Sequence, residues 1–95
     1  MESFNDLQFL LGCKEDGGLR KKNILPKSSK KKPLISVITV VLNNDKYIQE
    51  CFNSIHNQDY ECFEHIVVDG GSEDETIKII KRNSHKIDYW CSNKD

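Results

Sequence analysis

The chain is 95 residues long, enough for one small domain whose core buries only a modest share of the surface. A formal charge of −1 argues against a generic nucleic-acid binder, and no apolar run approaches the length of a membrane span. The charge is unevenly placed: residues 1–33 hold eight Lys/Arg against four Asp/Glu, a balance of +4, and residues 34–95 hold six against eleven, a balance of −5.

Residues 1–12 place Phe4, Leu7, Leu10 and Leu11 on one side of one or two helical turns, which is short for an isolated helix. Glu2, Asp6 and an apolar stretch of only three residues (9–11) do not make a signal peptide. Gly17 and Gly18 break the pattern, and residues 20–32 carry seven basic side chains, two serines and Pro26. Residues 1–33 therefore read as a basic arm or linker. Its lysines leave peripheral contact with an anionic membrane leaflet open, at about 1 kcal/mol per basic residue near the surface.

Order is expected from Leu34. The run ISVITVVL (35–42) is apolar and β-branched without alternation, as in a strand covered on both faces. Asn43, Asn44 and Asp45 suit a helix N-cap. Ile48, Cys51, Phe52 and Ile55 then form one apolar stripe of an amphipathic helix. A second strand, HIVVD (65–69), runs into Gly70-Gly71 and Ser72-x-x-Glu75, the pattern of a capping box. The helix it opens is expected to bury Ile77 and Ile80, with Ile79 flanking, before a third strand at IDYWC (87–91). Strand, helix, strand, helix, strand at this spacing predicts two βαβ units with a parallel sheet.

Ligands of open parallel sheets bind beyond the carboxyl ends of the strands. Leu42-Asn43-Asn44 and Asp69-Gly70-Gly71-Ser72 lie there. The glycines let a ligand approach the backbone, and free N–H groups opening the second helix would favour anionic oxygens. Asp69 can accept from a base N–H or a ribose hydroxyl, or the turn can be purely structural, with Asp69 as a helix cap. Neither G-x-G-x-x-G nor a P-loop is present. The acids Glu73, Asp74 and Glu75 fit a helix start favoured by the dipole better than a metal site. His56, His65 and His85 read as surface or sheet-end residues, Cys51 and Cys62 as small buried hydrophobes, and Trp90 as a core anchor. Cys13, Cys51, Cys62 and Cys91 form no Cys-x-x-Cys pair, so reduced thiols in a cytoplasmic protein are the plain expectation.

Four of these elements, ISVITVVLNN, SIHNQDY, EHIVVDGGSEDET and KIDYWCS, occur in order over residues 33–95, and together they resemble the opening of the family 2 glycosyltransferases, which have the GT-A fold. The resemblance implies an incomplete α/β domain, the βαβαβ parallel-sheet half of a Rossmann-like GT-A fold, in residues 34–95. It implies a nucleotide-diphosphate sugar donor and a glycan or lipid-linked acceptor, with many such proteins acting in surface polysaccharide synthesis. Carried onto this sequence, Val40, Val41, Leu42 and Asn43 would line the base and ribose, Asp69 and Gly70 would close the opposite side, and Asp95 matches a later family aspartate. Leu42 stands where many members have an aromatic residue, and Gly70 where many have an aspartate that reads uracil. Guanosine and thymidine donors therefore stay open beside uridine. Asn93 replaces a glutamate common in the Asp-Gly-Gly-Ser subset.

Family members hold a divalent cation, Mg or Mn, with a later Asp-x-Asp-type motif, and take the acceptor's proton with an acidic residue further on. Neither motif precedes Asp95, so the chain is expected to be an N-terminal piece with no catalytic residue and no activity alone. The alternative from another class is a non-catalytic nucleotide-binding or interaction module. A receiver-type signalling domain fails on residues, since the first strand ends in Leu42-Asn43-Asn44 rather than acids, and the third in Cys91-Ser92 without a phosphorylatable aspartate.

Overall fold

The computed structural model describes residues 13–26 and 32–93. The turns expected in residues 1–12, most of the lysine cluster at 27–32 and Asp95 lie outside the described residues. Chain order is β1 (Glu15–Gly17), a 3-10 turn (Leu19–Lys22), β2 (Ile35–Val41), α1 (Ile48–His56), β3 (Phe63–Asp69), α2 (Thr76–Arg82) and β4 (Tyr89–Ser92). The sheet order is β1-β4-β3-β2. β2 pairs parallel with β3, Val41 opposite Asp69, and β3 pairs parallel with β4, Asp69 opposite Ser92. This is the βαβαβ parallel half of a GT-A fold expected above.

Successive strands are laid down in one direction across the sheet, so right-handed crossovers put both helices on the same face. There Val41, Val67 and Trp90 meet Ile48 and Phe52 of α1 and Ile79 and Ile80 of α2 in one buried cluster. Trp90 is a core anchor, and its Nε1 donates to Ser84 Oγ at 3.0 Å. Two expectations about the stripes change. On α1, Ile48 and Phe52 are buried while Cys51 faces outward. On α2, which begins at Thr76, Ile79 and Ile80 are buried and Ile77 only partly, so the face packed on the sheet is turned toward Ile79 and away from Ile77.

The largest difference lies before residue 33. Part of the segment read as an arm is built into the sheet, where Glu15–Gly17 pair antiparallel with β4. Leu19 and Arg20 continue the contact, their N–H groups donating to the carbonyls of Ile87 (2.9 Å) and Asp88 (2.8 Å). The Gly17-Gly18 pair is a close approach rather than a breaker. A Cβ on Gly17 would fall 2.7 Å from the Trp90 indole, and one on Gly18 would fall 2.8 Å from the Asp88 carbonyl. The Arg20 guanidinium pairs with Glu64, a buried carboxyl on β3 that also accepts from Ser36 Oγ at 2.6 Å. β2, by contrast, is an edge strand, and its side chains Ile38 and Val40 are 63 % and 74 % exposed. Its unbroken apolar run anticipated cover on both faces, but the described residues cover one.

Candidate functional site

The strand carboxyl ends carry two loops, residues 42–47 after β2 and 70–75 after β3, laced to each other in both directions. The N–H groups of Asn43, Asn44 and Asp45 donate to Ser72 Oγ (2.8 Å), Thr76 Oγ1 (2.9 Å) and Asp74 Oδ2 (3.2 Å). In return, Glu73 N–H donates to Asn43 Oδ1 at 2.8 Å and Glu75 N–H to Asp45 Oδ2 at 3.3 Å. Gly70 N–H closes the base of the lacing on the Val41 carbonyl at 2.9 Å. Each loop thus satisfies the other's backbone, which would otherwise need water or a ligand.

This arrangement overturns three local expectations. Ser72 and Glu75 do not form a capping box: the Ser72 hydroxyl accepts from Asn43 and donates to Asp69, and Glu75 bridges to Lys78 at 3.1 Å. Asn43 and Asp45 do not cap α1, because their side-chain oxygens face the second loop. The start of α2 is not a row of free donors either. The N–H groups of Gly71 and Ser72 go to Asp69, those of Glu73 and Glu75 to the first loop, and that of Thr76 to Asp74 Oδ1 at 2.9 Å. Partial burial pushes the Asp74 carboxyl up, but hydrogen bonds from the Thr76 hydroxyl, Thr76 N–H and Asp45 N–H outweigh it and hold its pKa below the ordinary value.

Asp69 organises the turn from inside. It is wholly buried, and its carboxyl accepts from Gly71 N–H (3.1 Å), Ser72 N–H (3.0 Å), Ser92 Oγ (2.8 Å) and, at its other oxygen, Ser72 Oγ. Val41, opposite it in register, points into the helix-side core and presents only backbone to the outside. The remaining predicted site residues are on the surface. Leu42 is 61 % exposed, and its Cδ1 lies 3.8 Å from where a Gly70 Cβ would stand. Asn43 is exposed, with a left-handed φ of 49° that its short polar side chain tolerates. Val40 is exposed one residue before the buried Val41, on the sheet face away from the helices. Leu42, Asn43 and Gly70 are therefore brought together at the mouth, Val41 and Asp69 lie beneath it, and Val40 stands to the side.

Of the two glycines, only Gly71 is required by its backbone, at φ 111°. A Cβ on Gly70 would make ordinary van der Waals contacts, 3.7 Å from the Val41 carbonyl and 3.8 Å from Leu42 Cδ1, so neither space nor backbone demands a glycine there. The spacing of the hydroxyls gave no hint of Ser72, Thr76 and Ser92 as clasps, since their partners are distant in sequence.

Away from the mouth, His65 is wholly buried in β3. It shares hydrogen bonds with His56 (Nδ1 to Nε2, 3.0 Å) and with Thr39 Oγ1 (2.8 Å), and stands edge-on to the Phe52 ring. Burial, then the neighbouring His56, lowers its pKa to about 4. His65 lies inside the sheet rather than, as expected, at the surface or a sheet end, and it and His56 are each other's hydrogen-bond partners. At the opposite end of β2 and β3, Ile35, Val37, Ile55, Gln58, Tyr60 and Phe63 line an apolar hollow of about 300 Å³. Among the described residues no three His, Cys, Asp or Glu side chains converge to hold a metal ion, and no helix is long and apolar enough to cross a membrane.

A parallel βαβαβ sheet with paired loops at its carboxyl edge is the layout of a Rossmann-like α/β fold. Residues 36–91 match the model of glycosyl transferase family 2, and the chain belongs to that family. It is 39 % identical over 57 residues to the dolichyl N-acetyl-alpha-D-glucosaminyl phosphate 3-beta-D-2,3-diacetamido-2,3-dideoxy-beta-D-glucuronosyltransferase of Methanococcus voltae, covering 58 % of this chain and 18 % of that protein. It is 45 % identical over 56 residues to an uncharacterized glycosyltransferase of Haemophilus influenzae, covering 59 % and 17 %. To the poly(ribitol-phosphate) beta-N-acetylglucosaminyltransferase TarS of Staphylococcus aureus it is 40 % identical over 59 residues, covering 60 % and 10 %. The matched part thus spans less than a fifth of each of these relatives. No solved structure matches the chain.

Proposed function

We propose that this chain is the donor-binding half of a glycosyltransferase that moves a sugar from a nucleotide-diphosphate sugar to a glycan or lipid-linked acceptor in surface polysaccharide synthesis. The observation that carries the reading is the pair of loops laced together through Ser72 and Asn43 at the carboxyl ends of β2 and β3, with Leu42 and Asn43 exposed beside a Gly70 that carries no side chain. A flat base fits beside an exposed apolar side chain and a bare backbone better than beside the buried Val41 and Asp69. Asp69 acts as the internal post that keeps both walls in place. Family membership supports the sugar donor, and two relatives named for a dolichyl-linked sugar phosphate and a poly(ribitol-phosphate) support a lipid-linked or polymeric acceptor.

The described residues do not form a cation site, so no step of this reading runs through a metal; a divalent ion in the whole enzyme would be held by residues elsewhere. The 95-residue chain is proposed to bind donor without transferring sugar. Titration of the isotopically labelled chain with uridine, guanosine and thymidine diphosphate sugars tests both halves of the reading. Saturable amide shifts confined to residues 40–44 and 69–72, with no transfer, are expected. A folded chain that binds none of the three donors overturns donor binding, and sugar transfer by the purified chain overturns its inactivity.

A further inference from the structure

Two of the cysteines meet. Cys91 stands in register with Val68 and Val40, so its side chain lies on the sheet face away from the helices. It is wholly buried there in a cluster with Ile66 and Tyr89, and Cys13 packs against that cluster. The two thiols share a hydrogen bond. The backbone holds them in place: Lys14 N–H donates to the Ser92 carbonyl at 2.7 Å, and Asp16 is opposite Cys91 in the β1–β4 register. Tyr89 Oη donates to Asp16 Oδ2 at 2.8 Å and closes the surround. Cys51 is exposed on α1 and Cys62 stands just ahead of β3, so neither belongs to this cluster. The partners also differ in access, Cys13 being half-buried and Cys91 wholly so. Burial first, then the hydrogen bond and the charge of Cys13, push the Cys91 thiol up to about 12.

We propose that Cys13 and Cys91 are a redox-sensitive pair, which a low-molecular-weight disulfide closes into one disulfide bond that locks β1 onto β4. The Cys13 thiolate, the accessible one, attacks the small disulfide. A bond forms between Cys13 Sγ and one half, and the other half leaves as a thiolate and takes up a proton. With Cys13 capped in this way, the negative charge that opposed ionisation of Cys91 is gone. Cys91 then gives up its proton, and its sulfur attacks Cys13 Sγ and expels the second small thiol. The two protein thiols are oxidised by two electrons, and the small disulfide is reduced to two thiols. The strand that gains from this bond is the weakest in the sheet. β1 is three residues long and buries no side chain fully, so in the reduced chain it has no apolar anchor of its own. In a reducing compartment such a bond is transient, which suits a sensor of oxidation rather than a permanent staple.

Incubating the folded full chain with oxidised glutathione tests the pair. The reaction is quenched in acid, remaining thiols are alkylated under denaturing conditions, and the digest is mapped by mass spectrometry. A linked peptide joining Cys13 to Cys91 within one chain is expected, with a glutathione adduct at the exposed Cys51 and an alkylated Cys62. The linked chain should melt about 10 °C higher than the reduced one, with slower amide exchange at Glu15, Asp16 and Gly17. Cys13→Ser, given the same oxidant, should show neither change. A lasting glutathione adduct at Cys13 beside an alkylated Cys91 overturns the proposal. So does a link from Cys13 to Cys51, Cys62 or another chain, or no reaction at Cys13. A Cys13–Cys91 link that leaves melting and exchange unchanged overturns the lock on β1.

Discussion

Ser72 shows how one hydroxyl holds two loops. It accepts from the first loop at Asn43 N–H and donates to Asp69, so removing it strands a buried carboxyl oxygen and a backbone donor together. Leaving such groups unsatisfied costs about 1–3 kcal/mol. Ser72→Ala should therefore lower the melting free energy by that amount and weaken donor binding, whereas Glu73→Ala, on an exposed side chain, should change stability little. Parallel denaturant titrations of the two variants check this. His65 gives a prediction with a sign. Its pKa of about 4 lies below the ordinary 6.5, so the unfolded chain binds a proton that the folded chain refuses between those values. Its contribution to stability is complete above pH 6.5 and is lost as the pH falls towards about 4. Around it stand His56, whose own pKa is lowered by burial, then by Lys86 and His85, together with Thr39 and the Phe52 ring. Melting temperature measured across that window should fall less steeply in His65→Gln than in the parent chain.

Among the elements, β1 is held by backbone proximity rather than by an apolar face. Its three residues, Glu15, Asp16 and Gly17, carry no strand pattern, and this is why it was not legible in the sequence. A glycine pair signals a break or a close approach equally well, and only the partner surface, Trp90 and the β4 backbone, decides which. The other strands and both helices were legible because apolar runs and helical stripes are local features. The lacing was not, because it joins residues about thirty apart through atoms that sequence patterns assign to caps. The candidate site was half legible. Leu42, Asn43 and Gly70 stand at the mouth, while Val41 and Asp69 face inward, since the alternation of β2 and β3 carries their side chains under the loop. Gly18→Ala tests the docking of β1. Its φ of 108° and the 2.8 Å approach to the Asp88 carbonyl force the segment off β4. A loss on the order of 2 kcal/mol is expected, with early amide exchange at Glu15, Asp16 and Gly17. Full retention of protection there would show that the contact tolerates a side chain.

For the whole molecule, the two margins of the sheet differ in kind. β3 is paired on both sides, while β2 is paired on one among the described residues. Ile35 N–H points to the Cys62 carbonyl at 2.9 Å, so by alternation the amides of Val37 and Thr39 also turn inward, and those of Ser36, Ile38 and Val40 turn outward. Hydrogen exchange at neutral pH should show this period of two along β2 and uniform protection along the middle of β3. Uniform protection along β2 as well would reveal a further strand or a second chain on its edge.

The antiparallel seat of β1 on β4 also gives the sheet a direction of growth. One margin ends in a strand of three residues, too short to template another. The other, among the described residues, ends in a seven-residue strand with one edge unpaired and a hydrophobic surface beside it. Any strand added to this sheet, from the same polypeptide or another, is steered to join at β2. Among the described residues the sheet is blunted on one flank and receptive on the other.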